Sequence, residues 1–247
     1  MSEKILFEVC CGSLEDVITA EKNGAHRVEL NSSLFLGGLT PSLGTLLKSK
    51  EYTKIPIICM IRCRGAGFNY SSLEIETMLL DAKILLDHGA DGIAFGALNN
   101  DYSIDLKSTR KFVELTHSFN KEFVFHRAID CTNDIFKSLN DLISLKVDRV
   151  LTGGSFNKAL DGHSLLKELN GLYNEHIEIL VGGGVNSSNI LELATLTQCN
   201  QFHSSCKEWA IDKTTSSKNI SYSYGPYSSH YDYVNDKLVR NIVNLII

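Results

Sequence analysis

Short runs of hydrophobic residues alternate with longer amphipathic stretches along the whole chain. The short runs have the length of buried strands, and the longer stretches repeat apolar residues at the spacing of a helix. The predicted strands are Ile5–Cys11, His26–Leu30, Ile55–Arg62, Gly92–Gly96, Glu122–His126, Asp148–Thr152, Ile177–Gly182 and Asn200–His203. The predicted helices are Leu14–Asn23, Ser42–Ser49, Leu73–His88, Asp105–Phe119, Asp134–Leu145, Leu160–Tyr173, Asn189–Leu196 and Tyr231–Ile247. This alternation predicts a parallel sheet covered by helices.

Eight strand–helix units predict an α/β fold, a single-domain (β/α)8 barrel of the TIM type that spans residues 1–247. The length suits one such barrel, and no linker or change of composition divides the chain. An open, doubly wound parallel sheet is the alternative fold. Ser71 with Glu74 predicts a capping box at the start of the third helix.

Two connections are longer than this fold requires. They cover residues 31–41, rich in Ser and Gly, and residues 207–230, rich in Ser and Tyr. Both follow strands, so both are expected on the carboxyl-end face, where long loops usually serve function. The second is long enough to fold over the mouth as a lid, and an oligomer contact or partial disorder is the alternative.

Composition narrows the classes of function. The net charge of −5 and the absence of a basic block argue against nucleic acid and against a membrane surface as partners. No signal-peptide layout and no apolar run of membrane-spanning length is present. Seven cysteines, an odd number scattered along the chain, predict reduced thiols in a cytoplasmic protein.

Charged residues occupy positions of the early strands that should face the barrel interior. Side chains alternate between the two faces of a strand, and one face of each barrel strand packs against the helices. The alternation therefore directs Glu8, Glu29, Arg62 and His126 into one interior volume, together with Cys10. Buried charges of both signs predict a polar pocket suited to acid–base chemistry, and a closed salt-bridge network is the alternative.

The segment from Phe123 to Asp130 ends a hydrophobic strand with several polar groups. We expect His126, Arg127 and Asp130 to form one wall of a binding site, because ligands bind at the carboxyl ends of parallel strands. An internal ion pair that caps the loop is the alternative.

Glycines and small polar residues end the last three strands. Glycine-rich turns expose backbone N–H groups, and the loops after the seventh and eighth strands commonly bind phosphate in this fold. These turns predict an anion site, although tight turns alone also favour glycine. Its candidate residues are Gly153, Gly154, Gly183, Gly184, His203, Ser204 and Ser205.

The thiols raise the question of a metal. Cys10 and Cys11 are adjacent, so they should point to opposite faces of their strand and cannot readily bind one ion together. Cys206 follows the eighth strand, which is beside the first in a closed barrel, and is the candidate second ligand. The spacing of a zinc motif is absent, and a free cysteine is often only a small buried hydrophobic residue.

Six motifs, in order along the chain, resemble those of the CutC family of copper homeostasis proteins. They are Phe7-Glu8-Val9-Cys10-Cys11, Ala25-His26-Arg27-Val28-Glu29-Leu30, Gly37-Gly38-Leu39-Thr40-Pro41-Ser42, Ile61-Arg62 with Arg64-Gly65, His126-Arg127-Ala128-Ile129-Asp130 and Phe202-His203-Ser204-Ser205. The resemblance implies a cytoplasmic (β/α)8 barrel, often a homodimer, with a role in copper tolerance and in binding Cu(I).

The chain departs from the family pattern at two places. The resemblance implies copper ligands at Cys10 and at the end of the second strand, where this chain has Asn31. Either Cys206 or Cys11 is the replacement ligand, or this protein does not hold copper in that way. The family usually reads Arg-Pro-Arg-Gly-Gly where this chain reads Arg62-Cys63-Arg64-Gly65-Ala66, so Cys63 is an additional thiol and a further candidate.

Three functions are open at this point. The first is copper handling with Cu(I) at Cys10. The second is an enzyme that acts on a small phosphorylated or carboxylated metabolite, with Glu8 or Glu29 as acid or base, His126 and Asp130 in the catalytic set, and an arginine cluster holding the anion. That cluster comprises Arg62, Arg64 and Arg127. The third is a non-catalytic barrel that binds a partner through its long loops.

Overall fold

Eight parallel strands close into a barrel in the computed structural model, which describes residues 4–222 and 229–247. The strands, in chain order, are β1 (Leu6–Cys11), β2 (Arg27–Leu30), β3 (Ile57–Met60), β4 (Gly92–Phe95), β5 (Glu122–Phe125), β6 (Arg149–Thr152), β7 (Glu178–Gly182) and β8 (Gln201–Ser204). Strand β1 pairs with β8 as well as with β2, which closes the sheet. The prediction of a (β/α)8 barrel is confirmed, and the open sheet is excluded.

Helices connect successive strands and surround the barrel. They are α1 (Leu14–Lys22), α2 (Leu43–Tyr52), α3 (Ser72–Asp87), α4 (Leu106–Ser118), α5 (Ile135–Ser144), α6 (His163–Tyr173), α7 (Ile190–Thr197) and α8 (Asp236–Ile246). The predicted capping box at α3 is confirmed: the Glu74 N–H donates to Ser71 Oγ over 3.2 Å, and the Ser71 N–H donates to Glu74 Oε2 over 2.7 Å. None of the helices within residues 4–222 and 229–247 combines the length and hydropathy that crossing a bilayer requires.

The alternation of side chains gives the barrel two different faces. Outward-facing residues such as Phe7, Val9 and Phe95 are fully buried against the helices. Inside, β3 to β7 contribute an apolar cluster. Its members are Ile58, Met60, Ala94, Val124, Leu151 and Leu180. The interior side of β1, β2 and β8 is polar, so the interior is divided into an apolar and a polar half.

The chain after the barrel forms more strands than the sequence predicts. Strand β9 (Lys207–Ile211) pairs antiparallel with β12 (His230–Val234), and β10 (Ser216–Ser217) pairs with β11 (Ile220–Ser221). The predicted long loop 207–230 therefore contains strands, and its residues 223–228 lie outside the described residues, as does that part of the predicted lid.

The predicted start of the last helix is wrong. Tyr231 lies in β12 and α8 begins at Asp236, because Asn235 is its N-cap, whose side chain accepts from the N–H groups of Lys237 and Leu238. An extended Tyr-Asp-Tyr segment alternates sides and suits a strand better than a helix.

The other long loop, residues 31–41, is held close to the barrel. It contains a 3₁₀ turn at Leu34–Leu36, and a bridge pairs Ser32 with Leu39. Gly37 and Gly38 have φ values of 89° and 86°, which few residues other than glycine adopt. A side chain at Gly38 would also collide with Asn31 Oδ1, so this loop packs tightly on the end of β2.

Candidate functional site

Strands β1, β2 and β8 carry the polar half of the interior. The strand register places Cys10 opposite Glu29, and Glu8 opposite both Arg27 and His203. Each is on the inward parity, as the sequence predicts for Glu8, Cys10 and Glu29. The three strands thus direct charged and ligating side chains into one volume.

Glu8 is the centre of an ion-pair network. It is 2% exposed; Arg27 Nε donates to its Oε2, and His203 Nδ1 lies 2.7 Å from its Oε1. Burial raises the pKa of a carboxyl group, but the charges of Arg27 and His203 outweigh it and hold the pKa of Glu8 far below its usual range. Burial lowers the pKa of His203, but the hydrogen bond to Glu8 and the charge of Glu29 raise it above its usual value. The network therefore favours an ionised Glu8 beside a protonated His203.

Cys10, Glu29 and His203 form the candidate metal site. One potential ligand atom of each lies within 4.8 Å of the others, and Cys10 Sγ lies 3.7 Å from Glu29 Oε2. Burial raises the pKa of both Cys10 and Glu29, and the negative charge of Glu29 further disfavours the Cys10 thiolate. A cation would relieve this mutual repulsion. A thiol, a carboxylate and an imidazole are together a donor set that suits copper or zinc.

Asn31 supports this cluster from the end of β2. Its Nδ2 donates to Glu29 Oε2 over 2.9 Å and lies 3.5 Å from Cys10 Sγ. Asn31, at the position where the resemblance implies a second cysteine, therefore orients the carboxylate and the thiol.

The structure places Cys206, the sequence-predicted partner of Cys10, elsewhere. Cys206 belongs with Cys11 to the hydrophobic core outside the barrel wall, and its thiol lies 3.7 Å from Ser204 Oγ. Burial raises its pKa to about 11, so this thiol is protonated at neutral pH. Cys206 faces outward because its backbone, at φ 43°, turns the chain away from the barrel into β9.

Arg62 and His126 form a second group beside the first. Both are buried, at 5% and 4% exposure, and the ring of Phe68 lies between them. The four residues that the sequence directs into one volume therefore lie in two adjacent groups, with Glu8 and Glu29 in the other. Burial, with the charge of Arg62, lowers the pKa of His126 to about 3. At neutral pH its imidazole is uncharged and suited to donate a hydrogen bond.

The other two arginines proposed to hold an anion have carboxylate partners. Arg64 Nε donates to Glu74, and Arg127 Nε donates to Asp130 over 2.7 Å. Arg127 also donates to the Phe156 carbonyl over 2.6 Å. These contacts tie loops to the barrel rim, in agreement with the alternative of an internal ion pair.

Asp130 holds the glycine turn that follows β6. Its carboxylate accepts from Thr152 Oγ1 and from the N–H groups of Gly153 and Ser155. The Gly154 N–H donates to Thr152 Oγ1. Both amides of the Gly153-Gly154 pair are therefore engaged within the protein.

The glycine turn after β7 packs against the chain that precedes α6. A side chain at Gly183 would lie 2.8 Å from the Asn157 carbonyl oxygen, and the Ala159 N–H donates to the Gly183 carbonyl. Gly184, at φ 71°, continues the turn beside Lys158. Ser204 Oγ donates to the Val185 carbonyl over 2.6 Å, while Ser205 follows at the end of β8. Close packing thus accounts for the two glycines, and their anion-binding role stays a prediction.

A layer of polar contacts below Glu8 was missed at the sequence level. Gln201 Oε1 accepts from Arg27 Nη2 over 3.1 Å and from Arg149 Nε over 3.0 Å. Arg149 also pairs with Glu122 and Glu178 at the amino end of the barrel. Arg149 and Gln201 occupy strand positions whose side chains face inward, and this alternation is the sequence signal that could have identified the layer.

Comparisons with known proteins agree with this architecture. The sequence model of the CutC family matches residues 5–208. A "family protein CutC" of Treponema denticola is 48% identical over 201 residues, which is 81% of this chain and 81% of that protein. The "Copper homeostasis protein cutC homolog" of Mus musculus is 37% identical over 228 residues, 92% of this chain and 83% of that protein.

A solved structure is also similar to this chain. It is the putative copper homeostasis protein CutC from Streptococcus agalactiae, which superposes with a TM-score of 0.77 at 32% identity and covers 81% of this chain and 98% of its own. The region that the family model matches, residues 5–208, includes β1 to β8 and therefore the whole polar half of the barrel. This chain belongs to the CutC family.

Proposed function

We propose that this protein binds a copper ion inside the barrel, at Cys10, Glu29 and His203. The observation that carries the proposal is the meeting of one thiol, one carboxylate and one imidazole within 4.8 Å. The thiol and the imidazole suit copper, and the carboxylate adds a negative charge. The name of the mouse relative, a copper homeostasis protein, supports copper as the metal.

The surroundings of His203 support its role as a ligand. Its Nδ1 is engaged by Glu8, which fixes the ring, and its Nε2 binds the ion once it has released its proton. A histidine that binds a metal commonly donates its other ring N–H to a carboxylate in this way. Asn31 orients Glu29 similarly. Glu29 and His203 thereby take the place of the second cysteine that is missing at position 31.

Anaerobic titration with Cu(I) against a chromogenic chelator tests the proposal. Loss of an outer-shell partner typically weakens metal binding about 10–100-fold, so Cys10→Ser should weaken it by more than about 100-fold. Glu8→Gln should weaken it by about tenfold, because it removes the carboxylate partner of His203 and leaves the three ligands in place. Cys131→Ser is the matched control, since Cys131 is exposed.

The outcomes separate the candidate ligands. Unchanged affinity in Cys10→Ser, or no binding by the wild type, would refute the copper site. A loss in Cys206→Ser that equals the loss in Cys10→Ser would contradict the ligand set and restore the cysteine pair expected from the sequence. Tighter binding of Zn(II) than of Cu(I) would contradict copper as the metal.

A second candidate function, acid–base chemistry on a small anionic metabolite, is favoured by one observation. Arg62 is a buried cation at the carboxyl end of the barrel, and it forms no salt bridge with any residue in 4–222 or 229–247. Glu29, whose pKa burial raises, is the group suited to exchange a proton. Cytoplasmic location and a homodimer are likewise proposals, which the family resemblance supports.

A further inference from the structure

Arg62 is held in place without a charged partner. Its Nη1 donates to the carbonyls of Leu36 and Gly38 over 2.8 and 3.2 Å, and its Nη2 donates to the Ala66 carbonyl over 2.6 Å. These carbonyls bear no net charge. Its Nε is buried and has no hydrogen-bond partner among the described protein atoms. A buried cation without a counter-charge is costly, which points to an anion as the missing partner.

His126 presents a second unpartnered donor. Its Nδ1 accepts from the Ala128 N–H over 3.2 Å, so the ring proton of the neutral imidazole resides on Nε2. Nε2 is buried and has no partner in the described part of the chain. The His126 ring packs directly against Gly96, where a side chain would lie only 2.6 Å from the ring.

Asn31 presents an unpartnered acceptor. The side chain is 1% exposed, its Nδ2 donates to Glu29, and its Oδ1 is without a partner among the described residues. Tyr70, whose buried hydroxyl also lacks a partner among the described residues, lies beside Arg62. The set is therefore two N–H donors, one carbonyl acceptor and one hydroxyl. Buried polar groups are satisfied in the great majority of cases, so four unsatisfied ones in a single region indicate a ligand.

Arg62, His126 and Asn31 are neighbours on the barrel rim. Asn31 and His126 directly follow β2 and β5, and Arg62 follows β3. Asn31 Oδ1 packs against Gly38, whose carbonyl accepts from Arg62. The Phe68 ring centre lies 5.2 Å from Arg62 Cζ and 5.1 Å from the His126 ring centre.

We propose that Arg62, His126 and Asn31 form a binding site for a small hydroxycarboxylate. The carboxylate accepts from Arg62 Nε and His126 Nε2, and the hydroxyl donates to Asn31 Oδ1. Phe68 packs against the carbon atoms of the ligand. This site rests on the second candidate function, whose substrate class it names, and it contains none of the three proposed copper ligands.

The hydroxyl distinguishes this ligand from simpler anions. Acetate could satisfy the two donors and would leave Asn31 Oδ1 without a partner. The phosphate dianion likewise presents only acceptors. An unmade hydrogen bond at a buried acceptor costs roughly tenfold in affinity, so glycolate should bind more tightly than either.

Isothermal titration of the metal-free, full-length protein with glycolate, acetate and inorganic phosphate tests the proposal. Glycolate should bind about tenfold more tightly than acetate. Arg62→Met and His126→Phe should each weaken glycolate binding by at least about tenfold, because each removes one N–H donor. Arg64→Met is the matched control, since Arg64 is an arginine of the same rim that already has Glu74 as its partner.

Several outcomes would overturn the site. They are no binding of any probe by the wild type, phosphate binding more tightly than glycolate, equal affinity for glycolate and acetate, and an equal loss in Arg64→Met. Where Arg62→Met does not fold, because it also loses the ties to Leu36 and Ala66, His126→Phe decides. If the protein did not bind glycolate but still bound Cu(I) through Cys10, this site would be refuted and the copper proposal would stand.

Discussion

Glu8 is held between two cationic side chains, and this arrangement explains how a carboxylate is tolerated inside a barrel. A lone buried carboxylate would be protonated, whereas Glu8 pairs with Arg27 on β2 and His203 on β8. Glu29, without a cationic partner at salt-bridge distance among the described residues, has a raised pKa instead. The pKa values of two glutamates on neighbouring strands are thus shifted in opposite directions.

The lowered pKa of the buried His126 predicts a specific pH dependence of the free energy of unfolding. Its pKa is about 3 in the folded protein and about 6.5 when unfolded, so the unfolded chain binds more protons between these values. The free energy of unfolding therefore falls as the pH drops below about 6.5. Between pH 7 and pH 5 the expected loss from this residue is about 2 kcal/mol.

The variant His126→Gln should lose that part of the pH dependence. Urea unfolding at pH 5 and pH 7 measures the difference for the variant and the wild type. His88→Gln is the control, because it makes the same replacement at an exposed position. An equal fall in stability for the wild type and for His126→Gln would show that His126 does not titrate as its burial implies.

The sequence predicts which residues face inward but not which of them are paired. Parity along strands places Glu8, Cys10 and Glu29 in the interior, and the structure places them there. Strand parity cannot distinguish Arg62, which has no carboxylate partner among the described residues, from Arg64, which binds Glu74 on helix α3. Those partners are contributed by loops and caps, whose geometry no strand periodicity encodes.

Asp16 connects three elements through one buried carboxylate. It lies on α1, its Oδ2 accepts from the Gly12 N–H over 2.9 Å, and its Oδ1 accepts from the Val234 N–H over 2.7 Å. The first contact fixes the turn between β1 and α1. The second attaches β12, and through it the β9–β12 pair, to the barrel.

The variant Asp16→Ala should detach the β9–β12 pair. It leaves the N–H groups of Gly12 and Val234 without acceptors, and we expect a loss of stability of about 2–4 kcal/mol. Hydrogen exchange at the Val234 amide should quicken far more than exchange at amides of β5. Asp212→Ala, at an exposed carboxylate of the same region, is the control. Unchanged protection at Val234 would contradict the role of Asp16.

The secondary-structure predictions that are wrong fall mainly in the part of the chain that follows β8. The eight barrel strands repeat a hydrophobic pattern because both faces are buried, and this pattern is visible in the sequence. Strand β12 is mostly exposed or half-buried and carries Tyr, Asp and Tyr, so no apolar run marks it. Its pairing with β9 depends on a contact partner about twenty residues away, which local periodicity does not reveal.

Closure of the barrel brings distant parts of the chain into one site. Glu8 and His203 are separated by 195 positions in the sequence and lie 2.7 Å apart. The candidate copper site therefore exists only when β1 and β8 pair. A helix that stabilises this seam should influence the whole molecule.

Helix α8 is positioned to stabilise the seam. It packs between α1 and α7, the helices that flank β1 and β8, and Val243 Cγ1 would lie 3.0 Å from a side chain at Gly24. Ile242 is 1% exposed on its inner face, whereas Leu245 is 42% exposed. The two residues lie about one turn apart on the same helix, one buried and the other exposed, so they provide a matched pair of substitutions.

The variant Ile242→Ala should therefore lower the free energy of unfolding by about 2–5 kcal/mol, since it leaves a cavity between α8 and the barrel. Leu245→Ala, the control, should lower it by less than about 1 kcal/mol, since much of that side chain is already exposed to water. Urea unfolding followed by circular dichroism and by Trp209 fluorescence measures both. If Ile242→Ala were as stable as Leu245→Ala, α8 would be a peripheral helix, and closure of the barrel at β1 and β8 would not depend on it.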